Sequence, residues 1–163
     1  MSRAATPAIA ALVAAGVDHE VLQYDHDPRA TSFGDEAVGE LADRAGVVAE
    51  QIFKTLVIAL PKGLAVAVVP VPAKLSLKAA AAALGVGKAS MAERTAAERS
   101  TGYVLGGISP LGQRKRLPTV IDASALQWDR ILCSAGKRGL EIAVAPADLI
   151  RLTDAVTADI AAT

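Results

Sequence analysis

Two features of the chain carry residue types that could do chemistry. The first is the stretch from Thr101 to Pro118, Thr-Gly-Tyr-Val-Leu-Gly-Gly-Ile-Ser-Pro-Leu-Gly-Gln-Arg-Lys-Arg-Leu-Pro, in which four glycines precede three consecutive cations. Glycine at Gly106, Gly107 and Gly112 lets the backbone turn tightly and lets a ligand approach main-chain amides that a side chain would shield. Arg114, Lys115 and Arg116 add positive charge beside that bare backbone, and Lys137 and Arg138 form a second cationic pair. Exposed amides with nearby cations suit a substrate carrying carbonyl or phosphate oxygens, since both groups stabilise negative charge. An ordinary glycine-rich connection accounts for the same residues. The second feature is Lys54, a lone cation in the apolar run Ile52-Phe53-Lys54-Thr55-Leu56-Val57-Ile58. It either points to solvent or projects an ammonium into a cleft. Spacing alone favours solvent, because lysine is seldom fully buried without a partner.

Other catalytic constellations fail on residue type or spacing. His19 and His26 fall on opposite sides of an expected strand, a single cysteine cannot build a cysteine-based zinc site, and no HExxH motif occurs, so no metal is expected. Asp25-His26-Asp27-Pro28 reads as a turn. Gly102 to Gly107 lacks the spacing of a dinucleotide fingerprint, and Gly85-Val86-Gly87-Lys88 follows a helix rather than a strand, so no nucleotide cofactor is expected. No Gly-x-Ser-x-Gly elbow supports a serine nucleophile. Cys133 lies within an apolar strand, where a small buried hydrophobe is the default.

Composition bounds the rest. At 163 residues with 52% apolar, residues 1–163 are expected to form one domain with one substantial core. The formal net charge is zero, so no long-range field favours nucleic acid, and a polyanion must meet a local patch. The start, Met1 to Pro7, lacks the apolar core of a signal peptide, and no long apolar run goes uninterrupted, so a cytoplasmic protein away from membranes is expected. Nothing in the pattern requires assembly, and a monomer is the default.

The elements that must position these residues follow from local signals. Thr6-Pro7 opens a helix with Ile9, Leu12 and Val13 on one face. Val17 to Tyr24 reads as a strand, and Ser32 with Asp35 resembles a capping arrangement for a helix that runs to Gly46. Ile52 to Leu60 and Leu64 to Val71, joined by Pro61-Lys62-Gly63, should pair as a hairpin near the middle of a sheet. Ser76 caps a helix that stops at Gly85, and Met91 to Arg99 allows another. Thr119 to Asp122, Arg130 to Ser134 and Leu140 to Val144 read as strands, the last two joined by a turn between Gly136 and Gly139. Pro146 opens a helix through Leu152, and Asp159 onward is expected to form a last short one. The sum is an α+β fold with a mainly antiparallel sheet.

With Lys54 and the glycine loop in view, the chain resembles the YbaK/EbsC family of aminoacyl-tRNA deacylases, free-standing relatives of the editing domain of bacterial prolyl-tRNA synthetases. The resemblance covers nearly the whole chain. It rests on Tyr24-Asp25-His26-Asp27-Pro28, Phe53-Lys54-Thr55-Leu56, Lys74-Leu75-Ser76-Leu77-Lys78, Arg99-Ser100-Thr101-Gly102-Tyr103, Gly106-Gly107-Ile108-Ser109-Pro110-Leu111-Gly112-Gln113 and Ser134-Ala135-Gly136-Lys137-Arg138-Gly139-Leu140. The similarity is to the Cys-tRNA(Pro) branch rather than the alanine-specific one.

The resemblance implies a barrel-like, mostly antiparallel sheet flanked by helices, and it makes Lys54 the essential lysine, reversing the reading from spacing. Tyr24, Phe33, Thr55, Gly106 and Ser134 fall at positions lining the family's pocket, and Gly107, Ile108 and Ser109 complete the glycine motif beside them. Glu141 stands where relatives carry Asp, so its carboxylate reaches one methylene further. The implied reaction is hydrolysis of the ester joining a mischarged amino acid to the tRNA 3′ ribose, with the substrate's own thiol assisting for cysteine. Such an ester is already activated, so positioning and charge stabilisation suffice without a protein nucleophile. The partner is the aminoacylated 3′ end of tRNA, meeting Arg114, Lys115, Arg116, Lys137 and Arg138, and a prolyl-tRNA synthetase could supply tRNA specificity. Two other readings stay open: an Ala-tRNA(Pro) deacylase, and a non-catalytic module that recruits tRNA or synthetase.

Overall fold

The apolar runs at Ile52 to Leu60 and Leu64 to Val71 become the central hairpin of the computed structural model, which describes residues 6–162. The signal-peptide expectation at the amino terminus falls largely on residues 1–5, outside the described residues. Strand β1 (His19–Gln23) precedes the hairpin formed by β2 (Phe53–Ala59) and β3 (Leu64–Pro70). Six further short strands complete the set with β10: β4 (Lys74–Leu75), β5 (Ser90–Met91), β6 (Thr119–Asp122), β7 (Ile131–Lys137), β8 (Leu140–Val144), β9 (Val156–Ala158) and β10 (Ala161–Ala162). They assemble in the orders β5-β2-β3-β6-β9, β1-β8-β7 and β10-β4. The pairings β3 with β6 and β6 with β9 are parallel, and the others are antiparallel. The α+β expectation holds, with a parallel edge that short-range signals did not reveal.

Alternation along β3 builds the layers. Val66 and Val68 turn toward the three-stranded sheet and share a core with Ile131, Cys133 and Ile142. Ala65, Ala67 and Val69 turn the other way, onto a cluster containing Ala80 and Ile160. That second cluster includes helix α3 (Leu77–Ala83), whose amino end is capped by Ser76 Oγ accepting from the Ala79 amide at 3.1 Å. Residues of one strand facing opposite ways with period two, both faces buried, is what a run of small and β-branched residues specifies. On the far side of the three-stranded sheet, helix α2 (Phe33–Ala45) packs Leu41 against Leu132 and Ala143. The order of layers is therefore α3, five-stranded sheet, three-stranded sheet, α2.

Helix α1 (Pro7–Ala14) starts where expected, Thr6 Oγ1 accepting from the Ile9 amide at 3.1 Å and donating to the Ala135 carbonyl at 2.6 Å. Val13 departs from the expected face and is exposed, since it lies about 100° round the helix from the buried Leu12. Ser32 does not cap α2 with its side chain; its hydroxyl donates to Asp35 Oδ2 at 2.7 Å instead. Helices α4 (Arg94–Thr101) and α5 (Pro146–Thr153) stand near their expected positions. Among the described residues the expected final helix is absent. Val156 onward forms β9 and β10, because Asp122 Oδ1 takes the amides of Ile160 and Ala161 at 2.9 and 3.0 Å and holds that segment extended. Among the described residues no helix is long and apolar enough to cross a membrane.

Candidate active site

The five-stranded and three-stranded sheets touch edge to edge at one parallel bridge, Ile52 to Leu132, and part beyond it. The gap is a cleft of about 310 Å³. Its walls are the first residues of β2, with Phe53, Lys54 and Thr55; Ser134 of β7 and Glu141 of β8; the first turn of α2, with Phe33; and the loop bearing Leu105, Gly106 and Ile108. Four segments distant in sequence thus supply one site.

Lys54 is half-buried in this cleft, so the placement favoured by spacing is corrected. Its Nζ donates to the Val71 carbonyl at 3.2 Å. Burial draws the ammonium below the ordinary lysine range, and the nearby Asp35 carboxylate opposes that shift. A backbone carbonyl and a carboxylate therefore hold a cation against the cost of leaving water.

Glu141 is buried, pairs with Ser134 across the β7–β8 ladder, and its carboxyl accepts no hydrogen bond and forms no ion pair among the described residues. Desolvation raises its pKa to about 8, so the group is mostly uncharged at neutral pH. Thr55 Oγ1 is likewise buried and without a hydrogen-bond partner. Ser134 Oγ accepts from the Gly136 amide at 3.1 Å, inside the bulge that separates Ser134 from Lys137 in the ladder. The hydroxyl proton of Ser134 remains free to donate.

The glycine loop is shaped by packing. Gly106 has φ of +87°, and a Cβ there would meet Cγ of Phe33 at 2.6 Å, so the aromatic ring seats directly on its backbone. A Cβ on Gly107 would meet the Arg138 amide nitrogen at 2.9 Å. The Gly107 amide donates to the Val104 carbonyl at 2.9 Å, which removes it from the donors offered to a ligand. Its role is close approach to the end of β7, and it does not line the cleft.

Two further expected contacts, Ser109 and Tyr24, stand outside the cavity wall. Ser109 is buried, its Oγ accepting from the Leu111 amide at 3.2 Å and its carbonyl from Gln113 Nε2 at 3.0 Å, which closes the loop on itself. Ile108, its neighbour, does line the cleft. Tyr24 lies under α2 with Leu41; burial first, then the Glu141 carboxyl, push its phenol upward from the ordinary tyrosine value.

The cations divide into two places. Arg114, Lys115 and Arg116 are exposed, their loop tied down by the Arg114 and Lys115 amides donating to Thr101 and Ser100 carbonyls at 2.8 and 3.0 Å. Arg116 borders a separate hollow of about 260 Å³ with Gln113 and Thr153. Lys137 is exposed beside the cleft, and Arg138 Cζ lies 4.5 Å from the centroid of the Phe33 ring. None of the five forms an ion pair among the described residues.

Both histidines are engaged elsewhere: His19 Nδ1 lies 2.8 Å from the Val17 carbonyl, and His26 Nδ1 lies 2.7 Å from Glu36 Oε1. Cys133 is fully buried, and desolvation drives its thiol well above the usual range. It is inert packing. Sequence reasoning missed Leu105, Val71 and Asp35. Val71 acts through its carbonyl, which leaves no side-chain signal, and Asp35 reads only as a helix-start acid.

The comparisons match this geometry. A family model described as the aminoacyl-tRNA editing domain matches residues 35–152. The candidate Cys-tRNA(Pro)/Cys-tRNA(Cys) deacylase EbsC of Enterococcus faecalis is 41% identical over 121 residues, covering 74% of each chain. A crystal structure of a candidate trans-editing enzyme for prolyl-tRNA synthetase superposes with a TM-score of 0.84 at 26% identity, covering 100% of this chain and 99% of that one. The crystal structure of hypothetical protein APE2540 shares the fold, with a TM-score of 0.81 at 23% identity over 96% of this chain and all of that one. With Lys54, Thr55 and Glu141 gathered in one cleft inside the matched span, the chain belongs to the aminoacyl-tRNA editing domain family of deacylases.

Proposed function

We propose that this chain removes cysteine from mischarged Cys-tRNA(Pro), a reading supported by the name of the EbsC relative and by the chemistry of the cleft. The observation that carries it is the meeting of a held cation with the unpartnered Thr55 hydroxyl and the buried Glu141 carboxyl on the wall of one cavity of about 310 Å³. Buried polar groups normally have partners, so such groups facing one cavity await a ligand's polar atoms. The Lys54 ammonium faces the ester carbonyl or the adjoining ribose oxygens, where it stabilises the charge that develops as the carbonyl is attacked. Glu141 gains charge on meeting the substrate's ammonium, because an opposite charge pulls a carboxyl pKa down.

The attacking group is the substrate's own thiol. Its sulfur bonds to the carbonyl carbon, the ester C–O bond breaks, and the ribose 3′ oxygen leaves as the hydroxyl after taking the thiol proton. Water then opens the thioester so formed. A side chain without a nucleophile in that position, such as that of proline, survives without being excluded by size. The tRNA acceptor end meets Arg114, Lys115 and Arg116 on one side and Lys137 and Arg138 on the other, and a synthetase delivers the tRNA.

The test is deacylation of Cys-tRNA(Pro) and Ala-tRNA(Pro), side by side, by the protein and by Lys54→Ala. Loss of cysteine alone is expected, falling at least a hundredfold in the variant while its melting temperature stays close to the parent. Near-normal turnover by Lys54→Ala would remove the lysine from the mechanism. Release of alanine alone would move the protein to the neighbouring specificity.

A further inference from the structure

Arg138 is held more firmly than a surface cation needs to be. Its Nε donates to the Leu105 carbonyl at 2.8 Å, and its guanidinium carbon sits 4.5 Å from the centroid of Phe33. Leu105 is fixed through its amide as well, which donates to Glu98 Oε2 at 2.8 Å. Glu98 is braced in turn by Arg94 at 3.2 Å. The Nη donors of Arg138 meet no acceptor among the described residues. Beside them, Leu105 on the cleft wall is 39% exposed, and its neighbour Val104 is 53% exposed.

A planar cation pinned over an aromatic ring, with an apolar edge next to it, offers more than contact with a phosphate requires. A flexible lysine would serve phosphate as well. It is well matched to the face of a nucleobase, which stacks on guanidinium planes and keeps its edge free for hydrogen bonds. The cleft floor takes the aminoacyl ester, and the next flat group along that substrate is the terminal base. We propose that Arg138, held over Phe33 and against Leu105, is the stacking platform for the adenine at the tRNA 3′ end; this rests on the deacylase reading above.

The discriminating variant is Arg138→Lys, which keeps the charge and loses the plane. Steady-state deacylation of Cys-tRNA(Pro) should show KM raised roughly tenfold with kcat within about twofold, the size expected of one lost base stack. Adenosine and cytidine 5′-monophosphates carry the same phosphate and serve as probes. The parent should be inhibited at roughly tenfold lower concentration by the adenosine nucleotide, and Arg138→Lys should lose that preference. Equal inhibition by the two nucleotides, with parental KM in Arg138→Lys, would reduce Arg138 to a phosphate contact and overturn the platform. Should the parent leave Cys-tRNA(Pro) intact, calorimetric binding of the two nucleotides still decides the platform, so its failure and that of the deacylase reading stay separate. Melting curves of Arg138→Lys establish that a raised KM is not partial unfolding.

Discussion

Two carboxyl groups are buried among the described residues, Asp122 at 4% exposure and Glu141 at 7%, and their surroundings are opposite. Asp122 accepts from the Ser124 amide at 3.2 Å, the Ser124 hydroxyl at 2.5 Å and the amides of Ile160 and Ala161. Among the described residues Glu141 accepts no side-chain hydrogen bond and forms no ion pair. Equal burial with unequal satisfaction separates an acid spent on the fold from one whose acceptors stay open. The first spends its acceptors on the fold, tying the end of β6 to Ile160 and to the start of β10. The second leaves them open toward the cleft, at the cost of being held uncharged.

The largest expected effect that tests this contrast is on stability. Asp122→Ala should cost about 3 kcal/mol or more, because it strands the amides of Ile160 and Ala161 in a buried corner. Urea midpoints measure this, and a cost under about 1 kcal/mol would show the corner to be solvated.

Glu141→Gln should behave the other way, keeping or raising stability at pH 8 while lowering kcat/KM at least tenfold. The pH dependence follows from its position. The folded carboxyl holds its proton up to about pH 8, against 4.5 when unfolded. The stability it confers is therefore full below about pH 4.5 and is lost as pH rises through 8, at roughly 1.4 kcal/mol per unit at the steepest. Urea unfolding of the parent at pH 5, 7 and 8.5 should show that decline, and Glu141→Gln should flatten it. Parallel curves would mean that the carboxyl is already ionised at neutral pH.

Thr55→Val gives the smallest change. Replacing an unpartnered buried hydroxyl by a methyl should leave stability equal or raise it by up to about 1 kcal/mol, with kcat/KM falling severalfold. A loss of stability instead would place a partner on that hydroxyl.

The same contrast marks where the sequence could be read. Thr6, Ser76 and the β2–β3 hairpin were legible because cap and alternation are local rules, and motif resemblance picked out Phe33, Lys54, Thr55, Gly106 and Ser134, all of which line the cleft. What stayed hidden depends on distant partners. β9 and β10 are too short to show a period, and they are set by Asp122, 38 and 39 residues before the amides it holds. Lys54 looked solvent-bound because the Val71 carbonyl that holds it has no side-chain signature. The Gly107 amide looked available until the turn to Val104 consumed it.

The hydrogen bond from Thr6 to Ala135 joins positions 129 residues apart, and the cleft draws on segments spread almost as widely. On the ribosome the amino-terminal part emerges first and waits. A nascent chain presents Lys54 well before β7 and β8 exist to carry Ser134 and Glu141. Half-made copies therefore lack the assembled cleft, and Lys54 gains its neighbours Ser134 and Glu141 only after β7 and β8 have been made.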